Sequence, residues 1–170
     1  MGKISVRPTR YVSSIVDVTV ESLVSDGVKV VFVDFDNTLI SMSGEKISVE
    51  VTDWIESLIY TGIKVRILSN NHVGRSIAKL RRFGARLDYS GLSMKPLPYQ
   101  IIQQLKASNF DRSVCLVIGD GYLTDILAAN LAGVRSILVE PVHDSRWGWV
   151  NWVNKTRRYI AKIFFGAPKV

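Results

Sequence analysis

The feature that most constrains this chain is an alternation between about residues 29 and 140. Four short apolar runs, KVVFVDF (29–35), KVRILS (64–69), VCLVIG (114–119) and VRSILVE (134–140), are separated by longer stretches of helical period. Such runs suit strands buried on both faces, and strands joined by single helices imply right-handed crossovers and parallel pairing. The first helical stretch, SVEVTDWIESLIYTG, places Val51, Ile55, Leu58 and Ile59 on one face, with Ser48 as a cap and Gly62 as the stop. VGRSIAKLRRFG closes at Gly84, YQIIQQLKASN follows the Pro96–Pro98 turn, and LTDILAANLAG ends at Gly133. The short run ARLDYS (85–90) is expected to add a strand. The expected fold is therefore one α/β domain, a mainly parallel sheet with helices on both faces. An N-terminal arm (1–28) packs on a core spanning 29–140, and residues 141–170 form a basic amphipathic helix.

Composition narrows the class. A chain of 170 residues is about one domain's worth, and 47% hydrophobic with 22% charged residues is ordinary for a globular core. Five prolines and one cysteine exclude a disordered, collagen-like or disulfide-built chain. No apolar run approaches the roughly 20 residues of a membrane-spanning helix. The start, MGKISVRPTRYVSS, has no acid before Asp17 and no apolar h-region, and Val6 stands where myristoylation needs Ser or Thr. Cys115, inside VCLVIGD, reads as a small core residue in a reducing compartment. The expected location is intracellular and cytoplasmic, with peripheral contact on the inner face of the membrane.

In open parallel sheets, ligands bind beyond the carboxyl ends of the strands, near the point where strand order reverses. The first run ends in Asp34-Phe35-Asp36-Asn37-Thr38, and a period of two puts Asp34 and Asp36 on one side. The second ends in Ser69-Asn70-Asn71, Lys95 follows the short run, and the next core run ends in Gly119-Asp120 with Asp125 beyond it. Close carboxylates repel unless a cation intervenes, and Asp34, Asp36 and Asp120 are hard oxygen donors suited to Mg²⁺. With such an ion on phosphate oxygens, one Asp could attack phosphorus to form an aspartyl-phosphate, while the second handles the leaving-group and water protons. Ser69 and Lys95 would hold the phosphoryl oxygens. A calcium loop is excluded, because Leu39 stands at the position requiring glycine and a strand leads in. Taken singly, Ser69 could be a helix cap, Lys95 a solvated lysine and Asp120 a turn residue. Their order along one rim favours the catalytic reading.

The set Asp34-Phe35-Asp36-Asn37-Thr38-Leu39, Ser69-Asn70, Lys95-Pro96 and Gly119-Asp120 with Asp125 resembles the four motifs of the haloacid dehalogenase (HAD) superfamily of phosphatases. The resemblance covers about residues 29–140 and implies a HAD-like Rossmannoid three-layer sandwich. It makes Asp34 the nucleophile and Asp36 the general acid/base. Asp34, the main-chain carbonyl of Asp36, and Asp120 would hold Mg²⁺, with Asp125 in support. Thr38 would brace the first loop, and Thr38, Ser69, Asn70 and Lys95 would meet the substrate. The lead-in Arg7-Pro8 to Tyr11-Val12-Ser13-Ser14-Ile15, with ILSNN, MKP, GD-x-x-x-TD and ILVEPV, is similar to the YqeG-type branch, class IIIA. That branch includes phosphatidylglycerophosphate phosphatases, and the resemblance implies a role in phospholipid biosynthesis. One departure is Gly121, where a larger polar residue such as Gln is expected.

The gaps between motifs leave no room for a cap domain, so the site should be open to a phosphate carried on something large. The basic charge supports this. Of the net +7, the segment Pro141–Val170 supplies most, with Arg146, Lys155, Arg157, Arg158, Lys162 and Lys169 against Asp144. As a helix it would align Trp149, Trp152, Val153, Ile160, Ile163 and Phe164. Such a stripe packs on the core or, with its flanking cations, meets an anionic bilayer through residues 145–165. The expected function is a Mg²⁺-dependent phosphomonoesterase whose best single substrate is phosphatidylglycerophosphate, converted to phosphatidylglycerol. The alternatives are a soluble sugar, nucleotide or polynucleotide phosphatase, and a non-catalytic HAD-like module binding RNA or a ribosomal partner. The catalytic reading expects no nucleic-acid partner and leaves the oligomeric state open. Asn71 and His72 are further loop candidates for substrate contact.

Overall fold

The computed structural model of the chain describes residues 6–41, 46–70, 78–90 and 93–142. The elements in order are β1 (Arg10–Val12), α1 (Val20–Ser25), β2 (Val30–Asp34), α2 (Val49–Tyr60), β3 (Lys64–Leu68), β4 (Leu87–Ser90), α3 (Tyr99–Ser108), β5 (Cys115–Gly119), α4 (Leu127–Ala132) and β6 (Arg135–Val139). The strands form a six-stranded sheet in the order β1-β6-β5-β2-β3-β4. Every neighbouring pair is parallel. The α/β class and parallel sheet expected from the alternation are therefore present.

Period-two alternation in β2 divides the core. Val31, Val33 and the following Phe35 join a cluster with Leu23 of α1 and Trp54, Ile55 and Leu58 of α2. Val30 and Phe32 face the other way, packing with Ile101 and Leu105 of α3 and with Ala128, Ala129 and Ala132 of α4. The strand is apolar on both faces because both faces are covered. Asp34 continues the parity of Val30 and Phe32. The alternation that fills the core thus hands a carboxylate to the α3/α4 side of the sheet at the strand's end.

Local signals set the boundaries. The Ser48 hydroxyl accepts from the Val51 N–H at the start of α2, and Gly133 ends α4 in the left-handed region with φ 69°. Arg66, buried on β3, donates to Gln104 and Ser108 of α3 and lies 3.3 Å from Asp88 of β4, tying the helix to the sheet. Three elements differ from the sequence reading. The helix expected to run to Gly84 is helical only at 78–80 among its described residues and gives way to tight turns at Arg81–Arg86, where Gly84 has φ 55°. The helix expected from Leu123 begins as a widened turn over Tyr122–Ile126, with the Ile126 N–H bonded to the Gly121 carbonyl. The N-terminal arm contributes both α1 and an edge strand, β1, paired with β6. The expected C-terminal helix of residues 141–170 lies outside the described residues apart from its first two positions.

Candidate active site

Strand order turns back between β2 and β5, because β3 and β4 extend the sheet on one side of β2 while β5 and β6 extend it on the other. Loops leaving these two strands in opposite directions open a crevice at their carboxyl ends, where ligands bind in this architecture. Asp34 closes β2 and Asp120 follows β5, so the reversal brings together two residues 86 positions apart in sequence. Carboxylate oxygens of Asp34, Asp120 and Asp125 all lie within 4.8 Å of one another.

Lys95 is at the centre. It is only 8% exposed, as is Asp34. Its ammonium donates to Asp34 Oδ1, to Asp125 Oδ1 at 2.6 Å and to the Leu68 carbonyl at 3.1 Å. Three donors meet three acceptors within the protein. Desolvation works against that ammonium, but Asp125 and Asp34 outweigh it and hold the lysine above its ordinary pKa. For Asp34, burial acts against the carboxylate. Together with the charges of Asp125 and Asp120, it overcomes Lys95 and pushes the carboxyl well above its ordinary pKa.

Burial is the larger cause for Asp34, and the carboxylates of Asp125 and Asp120 add to it. The Lys95 ammonium pairs with Asp34 and Asp125, and Asp120 lies beside them, which concentrates negative charge in a desolvated crevice. A divalent cation held by hard oxygen donors would relieve that crowding, so the residues present fit Mg²⁺. Asp125 contributes differently from the other two. Its Oδ1 is held by Lys95, while Oδ2 accepts from the Gly121 N–H at 3.0 Å and the Thr124 hydroxyl at 3.1 Å.

The loop after β2 is shaped by Asn37, a non-glycine residue at φ 62°. Asn37 N–H donates to the Ile40 carbonyl, and the Asn37 carbonyl accepts from Val142 N–H, each at 2.7 Å. Asp36 lies at the start of this loop, where its Oδ2 accepts from the Ser69 hydroxyl at 3.2 Å. Thr38 is buried, and among the described residues its hydroxyl has no hydrogen-bond partner. Asn70 Oδ1 accepts from Lys95 N–H at 2.9 Å and from the Ser93 hydroxyl at 3.1 Å, and its Nδ2 donates to the Lys95 carbonyl at 3.0 Å. Sequence reasoning missed Ser93; its only signal was proximity to Lys95. Asn71 and His72 lie outside the described residues.

Gly121 has a steric reason. A Cβ there would fall 1.9 Å from Thr124 Oγ1 and 2.9 Å from Asp125 Oδ2. A Cβ on Gly119 would lie 2.4 Å from Asp125 Cγ. The widened turn brings the Asp125 side chain against bare backbone at both positions, so the departure from Gln follows from how this turn closes.

Fold, switch-point crevice and buried Lys–Asp constellation define a hydrolase of the HAD type. The haloacid dehalogenase-like hydrolase family model matches residues 19–133, and the chain belongs to that family. It is 33% identical over 158 residues to the probable phosphatase YqeG of Bacillus subtilis (strain 168), covering 92% of this chain and 90% of that protein. The enzyme class expected from the motifs, a phosphatase of this superfamily, agrees with both matches. Among solved structures, a 4-nitrophenylphosphatase from Thermotoga maritima superposes with a TM-score of 0.57 at 10% identity, covering 74% of this chain and 91% of that one. The cobalt-bound deoxy-D-mannose-octulosonate 8-phosphate phosphatase of Haemophilus influenzae gives 0.52 at 15% identity, covering 82% and 94%. These two likenesses concern the fold.

Proposed function

We propose that this chain is a Mg²⁺-dependent phosphomonoesterase that works through an aspartyl-phosphate on Asp34, with phosphatidylglycerophosphate as its best single substrate. The observation that carries the reading is the buried Lys95 ammonium between Asp34 and Asp125, with Asp120 beside them at the switch point.

The reading gives each residue a role. An Asp34 oxygen attacks phosphorus as the bond from phosphorus to the alcohol oxygen breaks, and Asp36 gives that oxygen its proton. Asp36 then takes a proton from water, whose oxygen attacks phosphorus, releasing phosphate and restoring Asp34. The Ser69 hydroxyl and Lys95 ammonium hold phosphoryl oxygens and offset their charge. Asp34, Asp120 and the Asp36 main-chain carbonyl would hold Mg²⁺, which supplies charge neutralisation at the phosphoryl group.

Support for a lipid substrate comes from the rim. Met94 and Leu97 close a turn through a 2.9 Å bond from Leu97 N–H to the Met94 carbonyl, with Lys95 turned inward between them. Met94 is 52% exposed, Leu97 56% and Tyr99 56%, so apolar surface borders the phosphate-binding lysine. Val142, bonded to Asn37 on the same rim, leads into the basic, Trp-bearing segment read here as a peripheral membrane contact. No helix among the described residues is long and apolar enough to cross a membrane.

The test is a panel of phosphorylated lipids in vesicles, sugars and nucleotides, each with and without Mg²⁺. Mg²⁺-dependent phosphate release, fastest from phosphatidylglycerophosphate, is expected. Fast turnover of a nucleotide with none of the lipid would replace the substrate. No turnover of any ester would remove the enzyme reading.

A further inference from the structure

Lys95 carries four rotatable bonds, so holding its ammonium among three acceptors requires a fixed main chain at its base. That main chain has an unfavourable neighbour: Met94, without glycine's freedom, sits at φ 55°, in the left-handed region that L side chains rarely adopt. Something must over-determine it. The Asn70 side chain does so by imitating a paired strand, accepting from Lys95 N–H at 2.9 Å and donating to the Lys95 carbonyl at 3.0 Å.

An asparagine amide has two ends of nearly equal shape, and only its partners decide which faces which. Here two donors, Lys95 N–H and the Ser93 hydroxyl, converge on Oδ1. Reversing the amide would set an N–H group against Lys95 N–H and an oxygen against the Lys95 carbonyl, so the Lys95 main chain fixes which end faces which, while the Ser93 hydroxyl adds a second bond that holds Oδ1 in place. Ser93 is anchored in turn, its N–H donating to the Ser69 carbonyl at 2.9 Å, and it is only 1% exposed.

We propose that Ser93 and Asn70 form one positioning unit: Ser93 holds the Asn70 amide, which clamps the Lys95 main chain and aims the ammonium at Asp34 and Asp125. Asn70, expected from its motif to meet the substrate, serves the reaction through Lys95. Among the described residues, the Ser93 hydroxyl meets the site through Asn70.

The experiment is a double-mutant cycle of Ser93→Ala and Asn70→Ala, read in two ways. Turnover of 4-nitrophenyl phosphate with Mg²⁺ rests on the proposed phosphatase activity. Acylation of Lys95 by an amine-directed reagent, measured by mass spectrometry against Lys64 and Lys106 in the same sample, requires no activity. Each single variant should lower kcat about tenfold, as for the loss of one or two hydrogen bonds from a positioning group. Each should raise relative Lys95 labelling severalfold, and the double variant should match Asn70→Ala in both readouts. If Ser93→Ala lowers kcat by the same factor with or without Asn70, the residues act separately and the unit is refuted. Unchanged Lys95 labelling in Asn70→Ala would also overturn it, by assigning that residue to the substrate. Should Ser93→Ala fail to fold, Asn70→Ala, altered at an exposed position, still decides through labelling. If no ester is hydrolysed but labelling rises as expected, the clamp stands and the phosphatase reading falls.

Discussion

Asp125 Oδ1 accepts from the Lys95 ammonium at 2.6 Å while its other oxygen is pinned by the Gly121 N–H and the Thr124 hydroxyl. Asp125 therefore acts as a strut, transmitting the closure of the turn after β5 to the lysine. Asp125→Asn keeps the volume but offers Lys95 a neutral partner. Turnover should fall about 10- to 100-fold, the usual cost of losing an outer-shell partner. A kinetic comparison with Mg²⁺ saturating checks this, and unaltered kcat would show that the strut is dispensable.

Asp34 links activity to stability. Its folded pKa is raised above the ordinary 3.8, so the unfolded chain gives up this proton at lower pH than the folded chain does. Across that window the unfolded state binds fewer protons, and stability falls as pH rises. The metal-free protein should melt higher at about pH 5 than at about pH 8 as far as Asp34 contributes. Asp34→Asn should flatten this part of the profile, stabilise the metal-free protein near neutral pH and lower turnover by about a thousandfold or more. Melting curves with chelator across pH, beside assays with Mg²⁺, test both halves.

Gly121 offers a steric test. Gly121→Gln restores the residue expected from the related motif, yet its Cβ would enter the space of Thr124 Oγ1. Relieving that overlap should cost about 1–3 kcal/mol and draw Asp125 away from Lys95. Lower thermal stability and lower kcat should appear together. A variant as stable and active as the parent would mean that the turn opens without cost.

Removal of residues 143–170 separates rim from tail. On the lipid reading, the shortened protein should bind phosphatidylglycerol vesicles much less while keeping most activity on 4-nitrophenyl phosphate. Co-sedimentation and a soluble-ester assay report the two quantities. Equal vesicle binding by both proteins would withdraw the membrane role of the tail.

Much of this arrangement was legible in the residues. Mostly apolar runs covered on two faces identified β2, β3, β5 and β6, although Arg66 on β3 and Ser136 on β6 are polar and buried. Motif order brought Asp34, Lys95, Asp120 and Asp125 to one rim. Other features depend on tertiary contacts. Nothing local in Arg10–Val12 distinguishes an edge strand from a loop; its pairing is supplied by β6. The widened turn at Tyr122–Ile126 reads as plain helix, since its cause is the packing of Asp125 against Gly119 and Gly121. Ser93 has no signature of its own, because the partner of its hydroxyl is an amide 23 residues away.

The pairing of β1 with β6 has a practical consequence. The family match begins at residue 19, so a shortened protein cut at that boundary would lose Arg10–Val12. Ile137, Leu138 and Val139 would then present an unsatisfied backbone ladder along an apolar border, a template for recruiting strands from other molecules. Self-association of such a fragment would arise from the missing arm and would carry no information about the native assembly.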